Sequence, residues 1–341
     1  WLKWLGQPGP PIRDGGRPTR HMRNAEDEEF EEADAILEDL RRKAATGESD
    51  IPWGDNKERC VASDGVLYVT RSLAVGSDTS AGPTLSLREL PYSAHPDASV
   101  GVNGTGGVVW SGAVGLVDLL REGGPELLSH ATSAGGVAGG PPARADAPVV
   151  LELGAGCGLV GLFVAALLGA SGASGARVIL TDENEAVLSN LRHNAEANGT
   201  ALGSVAVEVA RLEWEELLDG TSPPPTEAGD MAIDLLLGSD VIWGHRGILV
   251  GRVARRLVRP GGLMIISAQE GREGLDVFLK EVTAETPGNP WFDVEVCKAS
   301  VAGEKLLIFL CGRRCSGAPE EGDVAKARMS AMRALISEAG E

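Results

Sequence analysis

The sequence predicts an α/β fold: a seven-stranded, mostly parallel sheet with an antiparallel final strand and helices on both faces. From Val149 onward, strand-like apolar runs and helical patterns alternate with little interruption. The strand runs fall at 149–153, 177–182, 204–210, 234–240, 263–268, 291–298 and 305–311. The helical patterns, at about 158–169, 184–198, 246–258 and 272–285, are long enough to act as crossovers between parallel strands. The last two strands are joined only by "KASVAGEK", too short for a crossover helix, so they are expected to pair antiparallel.

Ahead of this core, residues 1–64 read as a flexible acidic extension. Its first 20 residues are rich in Pro, Gly and Arg without a period, and "EDEEFEEADAILED" (26–39) concentrates acids on what reads as a solvated face. Residues 65–107 read as a β-hairpin region packed on the core, because "GVLYVTRSLAV" (65–75) and "TLSLREL" (84–90) alternate apolar and polar residues around "GSDTSAGP". A helix is expected to open just after Trp110 in "SGAVGLVDLLREGG" and to stop at Gly123 and Gly124. "SHATSAGGVAGGPPARADAP" (129–148) and "TSPPPTEAGD" (221–230) read as loops, and "RPGG" (259–262) as the stop that ends a helix before the strand "LMIISAQ". The core domain is placed at 108–313 and a helical tail at 314–341.

Composition narrows the function. A formal net charge of -18 disfavours a phosphate backbone as partner, so no nucleic acid is expected and a basic partner fits better. The five cysteines are scattered and odd in number, which suits a reducing compartment, with a cytoplasmic location expected and the nucleus as the alternative. The longest apolar run, Leu159 to Ala170, is too short to cross a bilayer, so no membrane partner is expected. Neither Cys311 and Cys315 nor any histidine forms a ligand-like set, so no metal is assigned. The chain begins at Trp1 rather than Met, which is expected of a truncated or processed chain and leaves room for a preceding targeting segment.

"VVLELGAGCGLVG" runs a β-branched strand through Gly154, Gly156 and Gly158 into a helix, at the sheet edge where backbone N–H groups face an open crevice. Glycines there serve either tight strand-to-helix packing or the approach of a bulky ligand to the main chain. A dinucleotide fingerprint needs a glycine where Leu159 stands, and the Lys-Ser or Lys-Thr of a phosphate-cradling loop is missing. A nucleoside ligand without phosphate remains, which S-adenosyl-L-methionine supplies. Asp182, at the end of "VILTD", is placed either to accept ribose hydroxyls or to cap the helix near Asn184. Glu152 is an acid in an apolar strand and should bind something polar, such as the amino group of the methionine part, directly or through water.

With Trp110 of "GGVVW", "LELGAGCGLVG", "LTDENE", "RLEWEE" and "LLLGSDVIW" read in that order, the chain resembles the seven-strand, Rossmann-like class I methyltransferases of lysine methyltransferase family 16, which act on non-histone proteins. The resemblance covers about residues 65–313. It implies that Trp110 touches the cofactor, that Gly154, Ala155 and Gly156, with Gly158, hold its methionine part, that Asp182 holds ribose, and that Trp214 lies against adenine. Each tryptophan, taken singly, reads equally well as a core aromatic. Ser239 and Asp240 of "GSDVIW" align with the family's Asp-x-x-Tyr motif, Ser239 lining the crevice and Asp240 facing the substrate, while Trp243 replaces the tyrosine and keeps an aromatic wall for a cation.

The resemblance thus implies S-adenosylmethionine-dependent transfer of a methyl group to a lysine amine of a protein partner; separately, a monomeric chain is expected. Asp240 is expected to guide the substrate and accept a proton through water, since a carboxylate beside an ammonium favours its charged form. Two other readings are a small-molecule methyltransferase, because one sheet serves many acceptors, and a non-catalytic cofactor-binding interaction protein.

Overall fold

Along the central strands successive apolar side chains go to opposite faces, as a strand buried on both sides requires. In β4 (Val149–Leu153) Val150 joins one core and Leu151 the other; in β5 (Arg177–Asp182) Val178 and Leu180 oppose Ile179. The computed structural model describes residues 53–61, 67–75, 82–90, 104–132, 147–173, 175–226, 229–286 and 289–314. The tail from 315 and the acidic run 26–39 lie outside the described residues.

After β1 (Asp55–Val61), β2 (Leu67–Ala74) and β3 (Thr84–Glu89), a short 3-10 turn (Gly104–Gly107) leads into α1 (Ser111–Thr132). Then follow β4, α2 (Leu159–Ala170), β5, α3 (Glu185–Ala197), the single turn α4 (Gly199–Leu202), β6 (Ala206–Arg211), α5 (Trp214–Asp219) and β7 (Ile233–Ser239). The chain continues through α6 (Arg246–Leu257), β8 (Val258–Gln269), α7 (Leu275–Thr283), the two-residue β9 (Glu285–Thr286) and β10 (Asn289–Pro290), β11 (Phe292–Val301) and β12 (Glu304–Arg313).

The main sheet has seven strands in the order β11-β12-β8-β7-β4-β5-β6. Pairs from β8 to β6 are parallel, and β12 is antiparallel to both β8 and β11, as the short connection requires. One core lies between the sheet and α1, α2 and α3, the other between the sheet and α5, α6 and α7.

Four expectations need correction. Residues 55–61, assigned to the flexible extension, form β1 and pair antiparallel with β2, so the hairpin is part of a three-stranded sheet. Helix α1 does not stop at Gly123 and Gly124 but runs to Thr132, anchored beyond them by Leu128, which is buried in the core. Residues 129–132 of the expected loop are therefore helical. "RPGG" lies inside β8 rather than before it: α6 ends at Leu257, and a register shift opposite Ile233 to Leu235 absorbs the Pro and glycines.

The small sheet is fastened to α3 through the free edge of β3. Asn190, Asn194 and Asn198 stand four residues apart along one face of the helix, and their amides take the place of a fourth strand. Asn198 accepts from the Ser86 N–H and donates to the Ser86 carbonyl, both at 2.8 Å. Asn194 does the same with Arg88 at 2.9 and 3.0 Å. A bare strand edge invites pairing with another chain, and this ladder closes it.

Candidate active site

β4 and β7 are neighbours, yet α2 leaves β4 toward one face and α6 leaves β7 toward the other. Such a switch point opens a crevice at the carboxyl ends of the strands. The residues around it are the glycine loop after β4, Asp182 at the end of β5, Trp214 after β6 and the 239–243 segment at the end of β7.

Each glycine of the loop has a positive φ, at 55°, 54° and 84°, where a side chain is strained. Their surroundings differ. A Cβ on Gly154 would lie 2.9 Å from Val241 Cγ1 and 4.0 Å from Trp214 Cζ2, so the bare main chain sits between β7's exit and the indole. On Gly156 it would lie 3.1 Å from the Gly106 carbonyl oxygen, part of a strap (104–110) that crosses the loop. On Gly158 it would meet Leu191 Cδ1 at 2.5 Å, so this glycine serves helix packing. Ala155 is buried; its N–H donates to the Thr181 carbonyl and its carbonyl accepts from Gly158 N–H, both at 2.7 Å, fixing the loop.

Asp182 accepts from the Gly156 N–H at 3.3 Å and from the Asn184 N–H at 3.1 Å. Burial pushes its carboxyl above the usual range, against these backbone bonds, which hold it down. The helix cap is Asn184, whose side chain accepts from Ala186 and Val187 N–H groups, which leaves Asp182 to the loop and the crevice. Trp214 opens α5 and is buried, with the Arg246 guanidinium 5.7 Å from its ring. Trp110 is half-buried at the end of the strap, its indole N–H donating to the Thr105 carbonyl at 2.8 Å. Its neighbour Val109 donates to Glu89 Oε1 at 2.8 Å, and Glu89 is paired in turn with buried Arg71. Ser239 is half-buried at the end of β7.

Besides Gly158, three expected site residues make contacts that were not anticipated. Glu152 is buried beneath α2, accepts the Gly161 N–H at 2.9 Å, and its carboxyl is pushed up to about 8 by burial. One polar partner of its carboxylate is thus the first turn of a helix. Asp240 does not face an open approach: its side chain is 4% exposed, 3.7 Å from the guanidinium of Arg272. It also accepts the Gly112 N–H at the start of α1 at 2.7 Å. Burial raises its pKa despite Arg272 and the backbone bonds. Trp243 donates its indole N–H to the Asp240 carbonyl at 3.2 Å, and the cation over its ring, at 3.9 Å, is Arg272. Asp240 and Trp243 together form a clamp on Arg272.

Val241, Arg272, the asparagine ladder and the contact of Gly106 with the glycine loop were not anticipated from the sequence. Only the ladder carried a signal in advance, in the spacing of "SNLRHNAEANGT". Among the described residues no group of His, Cys, Asp and Glu is arranged to hold a metal ion, and no helix is long and apolar enough to cross a membrane.

Gly154, Asp182 and Trp214 thus stand at the ends of three adjoining strands: bare main chain, a fixed acceptor and a flat ring. Sheet order, antiparallel final strand and this loop define a Rossmann-like methyltransferase fold. A model of the lysine methyltransferase family matches residues 98–285, more than half of the chain, and the protein belongs to that family.

Protein N-lysine methyltransferase METTL21A of Mus musculus is 38% identical over 140 residues, 41% of this chain and 49% of its own length. Calmodulin-lysine N-methyltransferase of Arabidopsis thaliana is 36% identical over 75 residues, 22% of this chain and 23% of its own. The chain thus spans about half the length of the former and a quarter of the latter. An rRNA methylase structure from Streptococcus thermophilus overlaps with a TM-score of 0.35 at 16% identity, over 56% of this chain and 94% of that one, too loosely to add to the topology.

Proposed function

We propose that the protein is an S-adenosylmethionine-dependent protein-lysine N-methyltransferase acting on a non-histone protein. The observation that carries this reading is the placement of Gly154, Asp182 and Trp214 at the carboxyl ends of the adjoining strands β4, β5 and β6, in a chain of the lysine methyltransferase family. Asp182 would accept the ribose hydroxyls, the Trp214 ring would lie against adenine, and the main chain from Gly154 to Gly156 would meet the methionine part. Trp110, held by the strap, would close the cofactor side, and Ser239 would line the crevice from β7.

S-adenosylmethionine, when bound, supplies a methyl group on a sulfonium, an electrophile for a neutral amine. The protein's part is to orient the acceptor lysine and to favour its neutral form by desolvation, since a free lysine amine has a pKa of roughly 10.4. Asp240 is poorly suited to be the base, because its carboxylate is engaged by Gly112 and Arg272. The proton is therefore passed to water. The net charge of -18 supports a partner with a basic surface around its lysine.

Incubation of the purified chain with methyl-labelled S-adenosylmethionine and a cell extract, followed by mapping of the labelled residue, tests the proposal. Label on lysine of a protein is the expected result. Label only in small metabolites would move the acceptor class, and tight cofactor binding without any transfer would leave an interaction protein.

A further inference from the structure

The asparagine ladder does more than cover a strand edge, because one of its rungs reaches the glycine loop. Asn194 is fully buried and its Nδ2 donates both to the Arg88 carbonyl, at 3.0 Å, and to the Cys157 carbonyl, at 2.9 Å. Cys157 lies between Gly156 and Gly158, so the same amide holds the edge of the small sheet and the bend of the loop. Asn198 grips β3 with equal bonds through Ser86 but its other donor bond goes to the Asn194 carbonyl, at 2.7 Å, inside the helix. Asn190 donates to the Arg88 carbonyl at 2.9 Å and accepts from Arg88 Nε at 2.8 Å. Beyond β3, the Leu90 N–H donates to the Gly107 carbonyl at 2.7 Å, so the strand also ties down the strap whose Gly106 carbonyl covers Gly156.

We infer that Asn194 is a positioning residue through which the docked N-terminal sheet sets the shape of the glycine loop, and so the affinity for the cofactor. The affinity part rests on the cofactor reading above; the loop-shape part does not. The physical reason is asymmetry. A buried carbonyl left without a donor is costly, so without the Asn194 amide the Cys157 carbonyl must turn to find another partner. Gly156 and Gly158, the positive-φ glycines on its two sides, make that rotation easy. Loss of Asn198 frees no group of the loop.

Asn194→Ala and Asn194→Asp are compared with Asn198→Ala by amide hydrogen exchange and by calorimetry with S-adenosylmethionine. The aspartate keeps an acceptor for the Arg88 N–H and loses the donor to Cys157. Either Asn194 variant is expected to quicken exchange at Gly156 and Gly158 about tenfold and to weaken cofactor binding by roughly the same factor, with Asn198→Ala within about twofold on both. Equal effects at 194 and 198, or an undisturbed loop in the Asn194 variants, overturn the inference. If the unaltered chain binds no S-adenosylmethionine the cofactor reading fails by itself, and exchange at Gly156 and Gly158 still decides the role of Asn194. Should both Asn194 variants fail to fold, native-state exchange of the unaltered chain in sub-denaturing urea decides instead: the Arg88 and Gly158 amides are expected to open as one unit, and separate openings overturn the coupling.

Discussion

The Asp240 carboxylate accepts the N–H of Gly112, 128 residues away in sequence, at 2.7 Å, and so bolts the exit of β7 to the first turn of α1. Asp240 itself adopts a positive φ of 51°, rare for a residue other than glycine. A Cβ on Gly112 would lie 2.4 Å from Asp240 Oδ2, so the glycine is needed for the close approach.

This placement separates two roles for Asp240. Burial raises its carboxyl pKa even against Arg272, so the negative charge itself adds little to the fold, while the acceptor for Gly112 adds more. Asp240→Asn should then cost no more than about 1 kcal/mol in urea unfolding, and Asp240→Ala about 3 kcal/mol. Methyl transfer by Asp240→Asn should stay within roughly tenfold of the unaltered chain, whereas loss of a general base typically costs ~100-fold or more. A larger loss in the asparagine variant, with cofactor binding kept, would return Asp240 to proton transfer.

Glu152 makes stability depend on pH in an unusual direction. Its carboxyl pKa rises from 4.5 to about 8 on folding, so the folded state favours the protonated form. The contribution is fully present below pH 4.5 and is lost as pH rises through about 8. Glu152→Gln keeps an acceptor for the Gly161 N–H without a charge. Its stability should match the unaltered chain near pH 4.5 and exceed it by on the order of 3 to 5 kcal/mol on the alkaline plateau. Urea midpoints across that range check the slope; parallel curves would mean that Glu152 stays ionised in its site.

The difference between what was and was not legible follows from range. The core strands and crossover helices show in the sequence because two-sided burial writes continuous apolar runs, and β5 has the predicted bounds 177–182. β1 was not legible: "DNKERCV" carries four charged residues and pairs along one edge only, so neither an apolar run nor clean alternation marks it. The crevice's glycines and Asp182 lie within a few residues of strand ends, and their motif is local. The burial of Asp240 depends on Gly112 and Arg272, and the cation on Trp243 is again Arg272, contacts that no short window contains. The bond from Gly161 to Glu152 was not legible, because an acid near a crevice and an acid beneath a helix look the same until the helix is placed.

Trp214 joins core and crevice, and two substitutions separate those parts. It belongs to the buried core cluster that also holds Leu212, Leu217 and Val241, and its Cζ2 lies toward Gly154. Trp214→Ala should cost about 3 to 5 kcal/mol, the usual price of emptying a site of that size. Trp214→Phe keeps most of the packing but offers a smaller face to a purine. It should melt within a few degrees of the unaltered chain and raise KM for S-adenosylmethionine several-fold with kcat little changed, as expected of a residue that binds donor and transition state alike. A phenylalanine variant with unaltered KM would confine Trp214 to the core.

The glycine loop admits a paired comparison that removes backbone strain from the result. Gly154 and Gly172 both have positive φ, 55° and 73°, so alanine costs roughly 1 kcal/mol at each for conformation alone. A methyl at Gly172 meets nothing within 4 Å, whereas at Gly154 it meets Val241 at 2.9 Å and lies 4.0 Å from the Trp214 ring. The two variants should therefore lose stability to a similar degree in urea unfolding, with somewhat more at Gly154 for the displaced valine. Affinity should divide them: calorimetry with S-adenosylmethionine is expected to show at least about tenfold weaker binding for Gly154→Ala and an unaltered constant for Gly172→Ala. Position distinguishes the two glycines, since Gly154 stands where β4 and β7 part and Gly172 follows α2. If Gly154→Ala binds as tightly as Gly172→Ala, the ligand does not approach the main chain there, and the loop's glycines serve packing alone.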